Sequence, residues 1–476
     1  MNKILYVASE ANPYAASGGL GDVMGALPIA LAQNNPDTDF SVIMPLYTTK
    51  MKSEHKKKLK KVVDISFKYA WRDTGASIYK IQNGRVNYYF VENHYYFDRK
   101  QLYGEYDDAE RFAFFSMSVI EFMIQTGYIP DILHANDWQS ALAVIYLKTK
   151  YALVDSLIKL RTVYTVHNIE YQGKFHMSIL GDIFALDGFS NVVEYNGCIN
   201  LMKGALVVSD YITTVSPNYA NELHHDFFAF GLADIISKVG VKLQGVINGI
   251  DYDYFSPEQG GEIYFSYGRE NLKKGKLENK LALQKELALE VNPDIPLIVM
   301  ITRLASQKGI DLVLRIIDEL LSENVQFVLL GSGEKEYEEI FRQKEKEYSN
   351  IRALIMFDRA TSKKMYAAAD MFIMPSKSEP CGLAQMIACS YGTVPIVRAV
   401  GGLYDSIIPY GSDNSNGFTF DNYNAHELLF TLKKALAIYK EEEKWDSLVM
   451  KAKCADFSWS VSASKYMEIY NKLLNW

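Results

Sequence analysis

A carboxylate and a cation occur in one stretch of the sequence, each beside a glycine-containing turn that follows a short apolar segment. Glu379 comes after Met371–Met374 in the stretch Pro-Ser-Lys-Ser-Glu-Pro-Cys-Gly-Leu, and Arg398 precedes Gly401-Gly402. Short apolar runs of this kind predict buried strands, and open α/β sheets bind ligands at the carboxyl ends of their strands. The spacing therefore predicts a site for a polar, partly anionic ligand, in which the carboxylate faces a cation and bare backbone N–H groups.

A second pair of cations lies at the start of the same half of the chain. Arg303 and Lys308 are five residues apart, between a predicted strand, Leu297–Ile301, and the helix that follows it. A guanidinium supplies a planar fork and an ammonium a mobile point charge, which together suit the charge that develops on a departing diphosphate. Gly331 and Gly333 follow the next strand, and this context favours a ligand site over a pair of ordinary surface cations.

The first half of the chain carries polar residues at three predicted strand ends. A turn containing Gly18 and Gly19 opens a helix, and two later strands end at Asp137 and His167. Unpaired N–H groups and the helix dipole at such a turn attract anions, although a purely structural tight turn is about equally consistent with the pattern. A single histidine after a strand more often serves as a cap or a satisfied hydrogen-bonding residue than as a catalyst.

The elements that position these residues alternate between strands and helices along the chain, which predicts two parallel, doubly wound α/β sheets. Pro28 should kink or divide the first helix, and the lysine-rich stretch 259–280 should be a linker or a surface excursion. Two such sheets would leave one large cleft lined by their strand ends. Both halves contain Gly-Gly-Leu-x-Asp, ending at Asp22 and Asp405, so they are predicted to present similar turns to that cleft.

Length and composition narrow the class of protein. The 476 residues exceed the roughly 250–300 at which one hydrophobic core stops growing, which predicts two large domains. A net charge of −7 argues against bulk nucleic-acid binding, and no run approaches the roughly 20 apolar residues of a membrane span. No signal or transit peptide is evident, and the four scattered cysteines form no CxxC pair, so a cytoplasmic protein without disulfides is expected. No His-x-x-x-His pair or thiolate cluster occurs, so neither a metal nor another cofactor is expected.

Two further clusters admit both a functional and a structural interpretation. The lysine-rich stretch 50–61 could bind anions, but a solvated helix face or loop is the better explanation. Tyr95, Tyr96 and Phe97 could stack on sugar rings, although clustered aromatic residues more often belong to a core. We keep Tyr95 as a candidate sugar contact.

Seven motifs resemble those of bacterial glycogen synthases and plant starch synthases. They are Ser-Gly-Gly-Leu-Gly-Asp-Val, His-Ala-Asn-Asp-Trp, Thr-Val-His-Asn, Asn-Gly-Ile-Asp, Arg-Leu-Ala-Ser-Gln-Lys-Gly, Ser-Glu-Pro-Cys-Gly-Leu and Arg-Ala-Val-Gly-Gly-Leu-x-Asp. They occur in the family's order with similar spacing over nearly the whole chain. The resemblance implies a retaining glucosyltransferase of GT-B type with two Rossmann-like domains. Residues 1–250 would be the acceptor-side domain and 251–456 the nucleotide-sugar domain, and the last helix, 457–476, would cross back to the first domain.

The resemblance also implies a reaction and a role for each motif. Glucose would pass from a nucleotide diphosphate glucose, expected to be ADP-glucose, to the non-reducing 4-hydroxyl of an α-1,4-glucan with retention. Arg303 and Lys308 would stabilise the departing diphosphate, and Glu379 would bind sugar hydroxyls. His167 would lie beside the reacting carbon, and Asp137 would hold the donor glucose or the acceptor. Tyr366 is expected to meet the base and the glycine pairs to donate N–H groups to phosphate, within a set of substrate contacts comprising Gly18, Gly19, Asp22, Tyr95, Trp138, Asn248, Tyr366, Cys381, Gly382, Leu383, Gly401, Gly402 and Leu403.

Two positions depart from the family pattern. The family usually has a lysine, associated with the donor phosphates, where this chain has Ala16, and Ala384 stands where threonine is common. Lys377 or Lys174 could supply the missing charge. The leading hypothesis is an active, metal-independent α-glucan synthase, and the alternative raised by Ala16 is a catalytically impaired glucan-binding or regulatory homologue. A nicotinamide-dependent oxidoreductase is disfavoured, because neither Gly-Gly turn fits GxGxxG followed by an acidic residue.

Overall fold

The computed structural model describes residues 2–475 and divides the chain into two compact units. One unit ends at Gly249 and resumes at Trp459, and the other spans Ile250–Ser458. No helix in residues 2–475 is both long enough and apolar enough to span a bilayer.

Strands and helices alternate through both units. The strands are β1 Asn2–Val7, β2 Thr38–Pro45, β3 Lys60–Tyr69, β4 Arg72–Asn83, β5 Val86–Glu92, β6 Ile132–Asn136, β7 Arg161–Val166, β8 Lys174–His176, β9 Glu194–Tyr195, β10 Cys198–Asn200, β11 Tyr211–Thr214, β12 Leu243–Gly245, β13 Leu297–Ile301, β14 Gln326–Leu330, β15 Ile351–Leu354, β16 Met371–Met374, β17 Val394–Arg398 and β18 Phe418–Phe420. The α-helices are α1 Gly19–Asn34, α2 Ser53–Lys56, α3 His94–Phe97, α4 Asp108–Thr126, α5 Trp138–Lys148, α6 Ser190–Val193, α7 Leu201–Val208, α8 Pro217–Glu222, α9 Asp226–Ala229, α10 Ala233–Val239, α11 Leu272–Glu286, α12 Ile310–Ser322, α13 Lys335–Glu347, α14 Arg359–Ala368, α15 Ala384–Ser390, α16 Gly401–Ser406, α17 Ala425–Tyr439, α18 Glu442–Cys454 and α19 Trp459–Leu474.

The first unit is built on a nine-stranded sheet in the order β12-β11-β7-β6-β1-β2-β5-β4-β3. The strands from β12 to β5 pair in parallel, as the alternation of strands and helices predicts. The antiparallel hairpin β3-β4 at the edge was not predicted. The hairpin begins at Lys60, inside the stretch expected to be a solvated helix face or loop. Charged residues can alternate along an edge strand because one of its faces is exposed to solvent.

Pro28 lies inside α1 and does not divide it. Proline has no N–H group, so the carbonyl of Met24, one turn earlier, loses its usual helical partner. The hydroxyl of Tyr88 donates to that carbonyl at 3.2 Å. A side chain of the neighbouring sheet thus satisfies the group that Pro28 leaves free, and the helix is not divided as one of the two predicted outcomes required.

The last helix, α19, belongs to the first unit. Tyr470 places its hydroxyl 2.7 Å from His134 Nδ1, and Ser462 Oγ donates to the carbonyl of Ile247 at 2.6 Å. Near the start of the helix, Asn34 Nδ2 donates to Ser460 Oγ at 3.0 Å. The return of the final helix to the first unit, implied by the resemblance, is confirmed.

The second unit holds a six-stranded parallel sheet in the order β15-β14-β13-β16-β17-β18. Parallel strands of this kind are buried on both faces, which explains their continuous apolar sequences. Helix α12 covers the sheet with its buried residues Ile310, Val313, Ile317 and Leu320. The order places β13 and β16 side by side, so the segments that follow these two strands are brought to the same edge.

The lysine-rich stretch 259–280, expected to be a linker or a surface excursion, ends in α11, whose last lysine in the stretch packs within the second unit. Lys280, in α11, is only 3% exposed and pairs with Asp370 at 2.8 Å. Lys276 donates to the carbonyl of Tyr366 in the last turn of α14, and burial lowers the pKa of Lys276 to about 7. Composition misled the prediction, because lysines that look solvated in sequence are satisfied here by a carboxylate and by helix carbonyls.

Candidate active site

Lys308 and Glu379 meet at the carboxyl ends of β13 and β16. Their Nζ and Oε2 atoms are 2.6 Å apart, and Ser376 Oγ lies 3.0 Å from the same oxygen. Glu379 is only 7% exposed. No donor in residues 2–475 reaches Oε1 of Glu379. The arrangement fixes one carboxylate oxygen with a cation and a hydroxyl while the other can still accept a hydrogen bond.

Gly309 sets the distance between these two side chains. It has a φ of 72°, and a Cβ atom there would lie 2.1 Å from the carbonyl of Pro375. Only glycine combines this backbone conformation with such a close approach. The segment that carries Lys308 can therefore pack directly on the segment that leads to Glu379.

The Gly401-Gly402 turn holds the other side of the Glu379 segment. The N–H of Gly402 donates to the carbonyl of Glu379 at 3.1 Å, and a Cβ at Gly401 would lie 1.9 Å from the same oxygen. A Cβ at Gly402 would lie 2.1 Å from the carbonyl of Cys381. The N–H of Gly402 is therefore not bare, contrary to the sequence-based interpretation, and the turn serves to position the carboxylate.

Arg398 also contacts the loop rather than presenting a bare cation. Its Nη1 donates to the carbonyl of Lys377 at 2.8 Å, and its Nε donates to the carbonyl of Asp421 at 3.1 Å. A guanidinium with several directed donors is well suited to bridging backbone carbonyls. The cation expected to face Glu379 is instead supplied by Lys308.

Arg303 is exposed, and no carboxylate in residues 2–475 lies within 4.0 Å of its guanidinium. The segment around it is fixed by two glycines of the next strand end. A Cβ at Gly331 would lie 1.9 Å from the carbonyl of Thr302, and one at Gly333 would lie 2.2 Å from that of Leu304. The backbone of Arg303 is thus held while its charge is not neutralised, which suits an anionic ligand.

Two predicted substrate contacts in the second unit are core residues. Tyr366 is 3% exposed and packs against the rings of Phe372 and Tyr391, at centroid distances of 5.7 and 5.9 Å. Its ring is not free to stack on a base, so the sequence-based expectation is wrong. The Leu403 side chain is fully buried. Cys381, Gly382 and Leu383, in contrast, form the turn between Glu379 and α15.

In the first unit, the strand register brings Asp137 and His167 together. Asn136 on β6 pairs with Thr165 on β7, so the residues that follow these strands are neighbours. The N–H of His167 donates to Asp137 Oδ1 at 2.7 Å, and the N–H of Asp137 donates to the carbonyl of Thr165 at 2.9 Å. Asp137 adopts a φ of 55°, unusual for a residue with a side chain. Such strain is frequent at functional sites.

Burial raises the pKa of Asp137 to about 7, while the N–H groups of His167 and Asn168 oppose the shift by donating to the carboxylate. The negative charge of Glu10 contributes a further increase. Asp137 can therefore hold a proton or release it near neutral pH.

His167 is held as a neutral ring of defined tautomer. Its Nε2 lies 2.9 Å from Asn136 Oδ1. The amide of Asn136 is oriented by its own donation to the carbonyls of Val7 and His134. Because Oδ1 can only accept, Nε2 carries the proton and Nδ1 keeps a lone pair. Burial lowers the pKa of His167 to about 3, so the ring is uncharged at neutral pH.

This pKa predicts how acid affects stability. The folded value lies below the unfolded value of about 6.5, so the unfolded chain takes up a proton first as the pH falls. The stability contributed by neutral His167 is complete above about pH 6.5 and is lost progressively toward pH 3. We expect His167→Asn, which cannot titrate, to lose less stability than the wild type between about pH 7.5 and pH 5. Urea unfolding at both pH values measures the difference, and parallel losses would contradict it.

The Gly18-Gly19 turn differs from its counterpart in the second unit. A Cβ at Gly19 would meet nothing within 4 Å, and one at Gly18 would meet only Glu10 Oε1, at 4.0 Å. Gly18 has an extended backbone with a φ of −161°. Neither the backbone conformation nor packing within the described part of the chain requires glycine here. The absence of side chains leaves the backbone N–H groups of the turn accessible to a ligand. Asp22 accepts a hydrogen bond from Asn12 Nδ2.

Sequence reasoning missed Glu10, whose carboxylate accepts hydrogen bonds from residues on both sides of the Gly18-Gly19 turn. Its carboxylate accepts from the N–H and hydroxyl of Ser17, at 2.6 and 2.8 Å, and from the N–H of Gly21 at 3.1 Å. Burial raises the pKa of Glu10. Its place just after β1, beside the strand ends that carry Asp137 and His167, is the signal that could have revealed it.

Two buried amide oxygens of the first unit lack a hydrogen-bond partner within residues 2–475: Asn248 Oδ1, a predicted contact, and Gln139 Oε1, which was not predicted. An unpaired buried acceptor is costly unless a ligand or water satisfies it. Trp138, between Asp137 and Gln139, packs against Phe112 and Phe175 at centroid distances of 5.2 and 5.8 Å.

The aromatic cluster after β5 is divided between core and surface. Tyr96 and Phe97 are buried, as expected for a core. Tyr95 is 64% exposed, and the guanidinium of Arg99 lies 5.7 Å from the centroid of its ring. Of the three, Tyr95 alone offers an accessible ring face.

Comparison with known proteins gives consistent similarities. A family profile described as "Starch synthase catalytic domain" matches residues 3–238, and one described as "Glycosyl transferases group 1" matches residues 285–448. The chain is 43% identical to a glycogen synthase of Alkaliphilus metalliredigens, over 99% of this chain and 100% of the relative. It is 42% identical to one of Clostridioides difficile, over 99% of each. It also resembles the solved catalytic domain of starch synthase IV from Arabidopsis thaliana bound to ADP and acarbose, with a TM-score of 0.89, 35% identity and 100% of both chains covered.

Proposed function

The chain belongs to the family of glycogen synthases and starch synthases, and from this premise we propose that it elongates an α-1,4-glucan at its non-reducing end. The donor is a nucleotide diphosphate glucose, with ADP-glucose the expected form, and the anomeric configuration is retained. The observation that carries the proposal is the ion pair between the buried Glu379 and Lys308, which follows the same strand as the unneutralised Arg303. A carboxylate for sugar hydroxyls and two cations for a diphosphate match the two ends of such a donor.

In the second unit, the proposed steps concern the departing group. Negative charge grows on the diphosphate as the bond to the sugar breaks, and Arg303 with Lys308 would stabilise it. Lys308 already lies 2.6 Å from Glu379, so its ammonium is oriented before the donor arrives. Glu379 would accept hydrogen bonds from glucose hydroxyls through its unused oxygen, which fixes the anomeric carbon relative to the cations.

In the first unit, Asp137 and His167 would hold the sugars that meet at the reacting carbon. His167 offers a neutral Nδ1 acceptor, and Asp137 offers a carboxyl group that can be protonated or ionised near neutral pH. In a displacement on the face that the phosphate leaves, the departing phosphate can accept the proton of the attacking hydroxyl. The proposed reaction therefore does not need the paired carboxylates that glycosidases use.

The test is incorporation of labelled glucose into glycogen, with ADP-glucose and UDP-glucose assayed side by side. We expect elongation in the presence of EDTA, faster with ADP-glucose than with UDP-glucose. Digestion of the product by an enzyme specific for α-1,4 linkages checks the linkage and its configuration. Failure to incorporate glucose from either donor, in protein that still migrates more slowly through glycogen-containing native gels, would instead support a glucan-binding homologue without catalysis.

A further inference from the structure

A cavity of about 520 Å³ in the first unit is distinct from the Asp137 and His167 pair. One wall is the loop 12–17, which includes Ala16 and leads into the Gly18-Gly19 turn. The lining also includes Lys50 and Lys52 from the loop after β2, and Lys100 from the loop after α3. Three cations from two separate segments thus converge on one space.

The two lysine-bearing loops are fixed to each other and to the end of β1. Thr49 Oγ1 donates to the carbonyl of Arg99 at 3.1 Å, which joins the loop after β2 to the loop after α3. The hydroxyl of Tyr47 donates to the carbonyl of Ser9 at 3.0 Å, and that of Tyr103 lies 2.9 Å from Ser9 Oγ. The backbones of the loops that carry the lysines are therefore anchored, although the lysine side chains are exposed.

The three lysines of the cavity form no ion pair with the described residues. No carboxylate in residues 2–475 lies within 4.0 Å of the ammonium groups of Lys50, Lys52 or Lys100. Asp98, two residues before Lys100, has other partners, since it is bonded to Thr48 and His94. Three like charges around one concave space repel each other and raise its positive potential, so an anion is the ligand that it favours.

The nature of the walls narrows the class of anion. Gln101 also lines the cavity with an amide group, whereas the lining side chains of Asn12 and Tyr103 are already bonded to Asp22 and Ser9. Lysines and neutral hydrogen-bonding groups together suit a phosphorylated polar molecule better than an apolar carboxylate. The adjoining Gly18-Gly19 turn has open space above its backbone, so its N–H groups are accessible to the same ligand.

We propose that Lys50, Lys52 and Lys100 form a phosphate-binding subsite for a small phosphorylated molecule. The molecule is either the diphosphate portion of the sugar donor or a separate phosphorylated metabolite that binds alongside it. The first source rests on the proposed function, whereas the subsite itself is argued from the cavity and its charges alone.

Site-resolved lysine labelling tests the subsite. The full-length protein is acylated briefly with and without inorganic pyrophosphate, and the modified lysines are quantified by mass spectrometry. We expect pyrophosphate to slow the labelling of Lys50, Lys52 and Lys100 by at least about threefold. The exposed lysines 56, 57 and 58 of the same stretch do not line the cavity and serve as the internal control. Equal labelling rates with and without pyrophosphate at the three cavity lysines would overturn the proposal.

Kinetics of a combined Lys50→Gln, Lys52→Gln and Lys100→Gln variant then identify the source. If the donor diphosphate occupies the subsite, KM for ADP-glucose rises about tenfold or more while KM for glycogen is unchanged, and adding Ala16→Lys restores part of the loss. If a separate metabolite occupies it, KM for the donor is unchanged and pyrophosphate still protects the wild-type lysines at saturating ADP-glucose. The matched control replaces lysines 56, 57 and 58 by glutamine. A wild-type protein that transfers no glucose would refute the proposed function, but the labelling result would still decide the subsite.

Discussion

Glu379→Gln is expected to lower the rate of glucan elongation by a factor on the order of 10²–10³. Glutamine keeps the size of the side chain, but it removes the charge that holds Lys308 at 2.6 Å and weakens the acceptor for sugar hydroxyls. Both effects act on the positioning of the donor, so kcat should fall more than KM changes. The measurement is the initial rate of glucose transfer to glycogen across a range of donor concentrations.

The Glu379→Gln prediction needs a control for folding. Glu339→Gln removes an exposed carboxylate of α13 in the same unit and should leave the rate unchanged. Urea unfolding of both variants shows whether the buried substitution destabilises the second unit, since it leaves the ammonium of Lys308 without its carboxylate. A well-folded Glu379→Gln protein with wild-type kcat would exclude this carboxylate from the reaction.

Much of this site could be predicted from the chain, because polar residues at the carboxyl ends of parallel strands share one edge of a sheet. That rule identified Arg303, Lys308 and Glu379 from the turns in which they occur. It could not give the Lys308–Glu379 contact, which spans 71 positions and depends on β13 and β16 being neighbours. Strand order is set by packing of the whole sheet and leaves no local signal.

Side-chain orientation and the burial of charged residues could not be predicted from the sequence either. Tyr366 was assigned to the ligand, but its position on α14 directs the ring toward Phe372 and Tyr391. The stretch 259–280 was expected to be a linker or a surface excursion, yet Lys280 is neutralised by Asp370, which is distant in sequence. In both cases the residue type permits two environments, and only tertiary contacts decide between them.

The two Gly-Gly-Leu-x-Asp motifs show the same limit most clearly. In sequence they predict similar anion-binding turns, but the structure gives their glycines different tasks. Gly401 has a φ of 47° and packs on the carbonyl of Glu379, whereas space above Gly19 is open to 4 Å. The same Gly-Gly pair therefore allows tight packing against the protein's own backbone in the second unit. In the first unit it leaves the backbone of the turn accessible to a ligand.

This difference predicts opposite effects of the same substitution. Gly401→Ala forces a side chain into the left-handed backbone region and places Cβ 1.9 Å from the carbonyl of Glu379. The backbone cost and the overpacking together should lower the free energy of unfolding by about 2–4 kcal/mol. Activity should fall by about 10²-fold at a temperature where the variant is still folded, because the carboxylate segment must shift.

Gly19→Ala is the matched control for Gly401→Ala. A methyl group there meets no atom within 4 Å, so its free energy of unfolding should stay within about 0.5 kcal/mol of the wild type. Urea unfolding followed by circular dichroism compares the two variants directly. If ligand phosphate approaches the first turn, Gly19→Ala still raises KM for the donor despite its normal stability. Equal stability of the two variants would contradict the assignment of Gly401 as the residue that seats Glu379, and the two turns would then be equivalent after all.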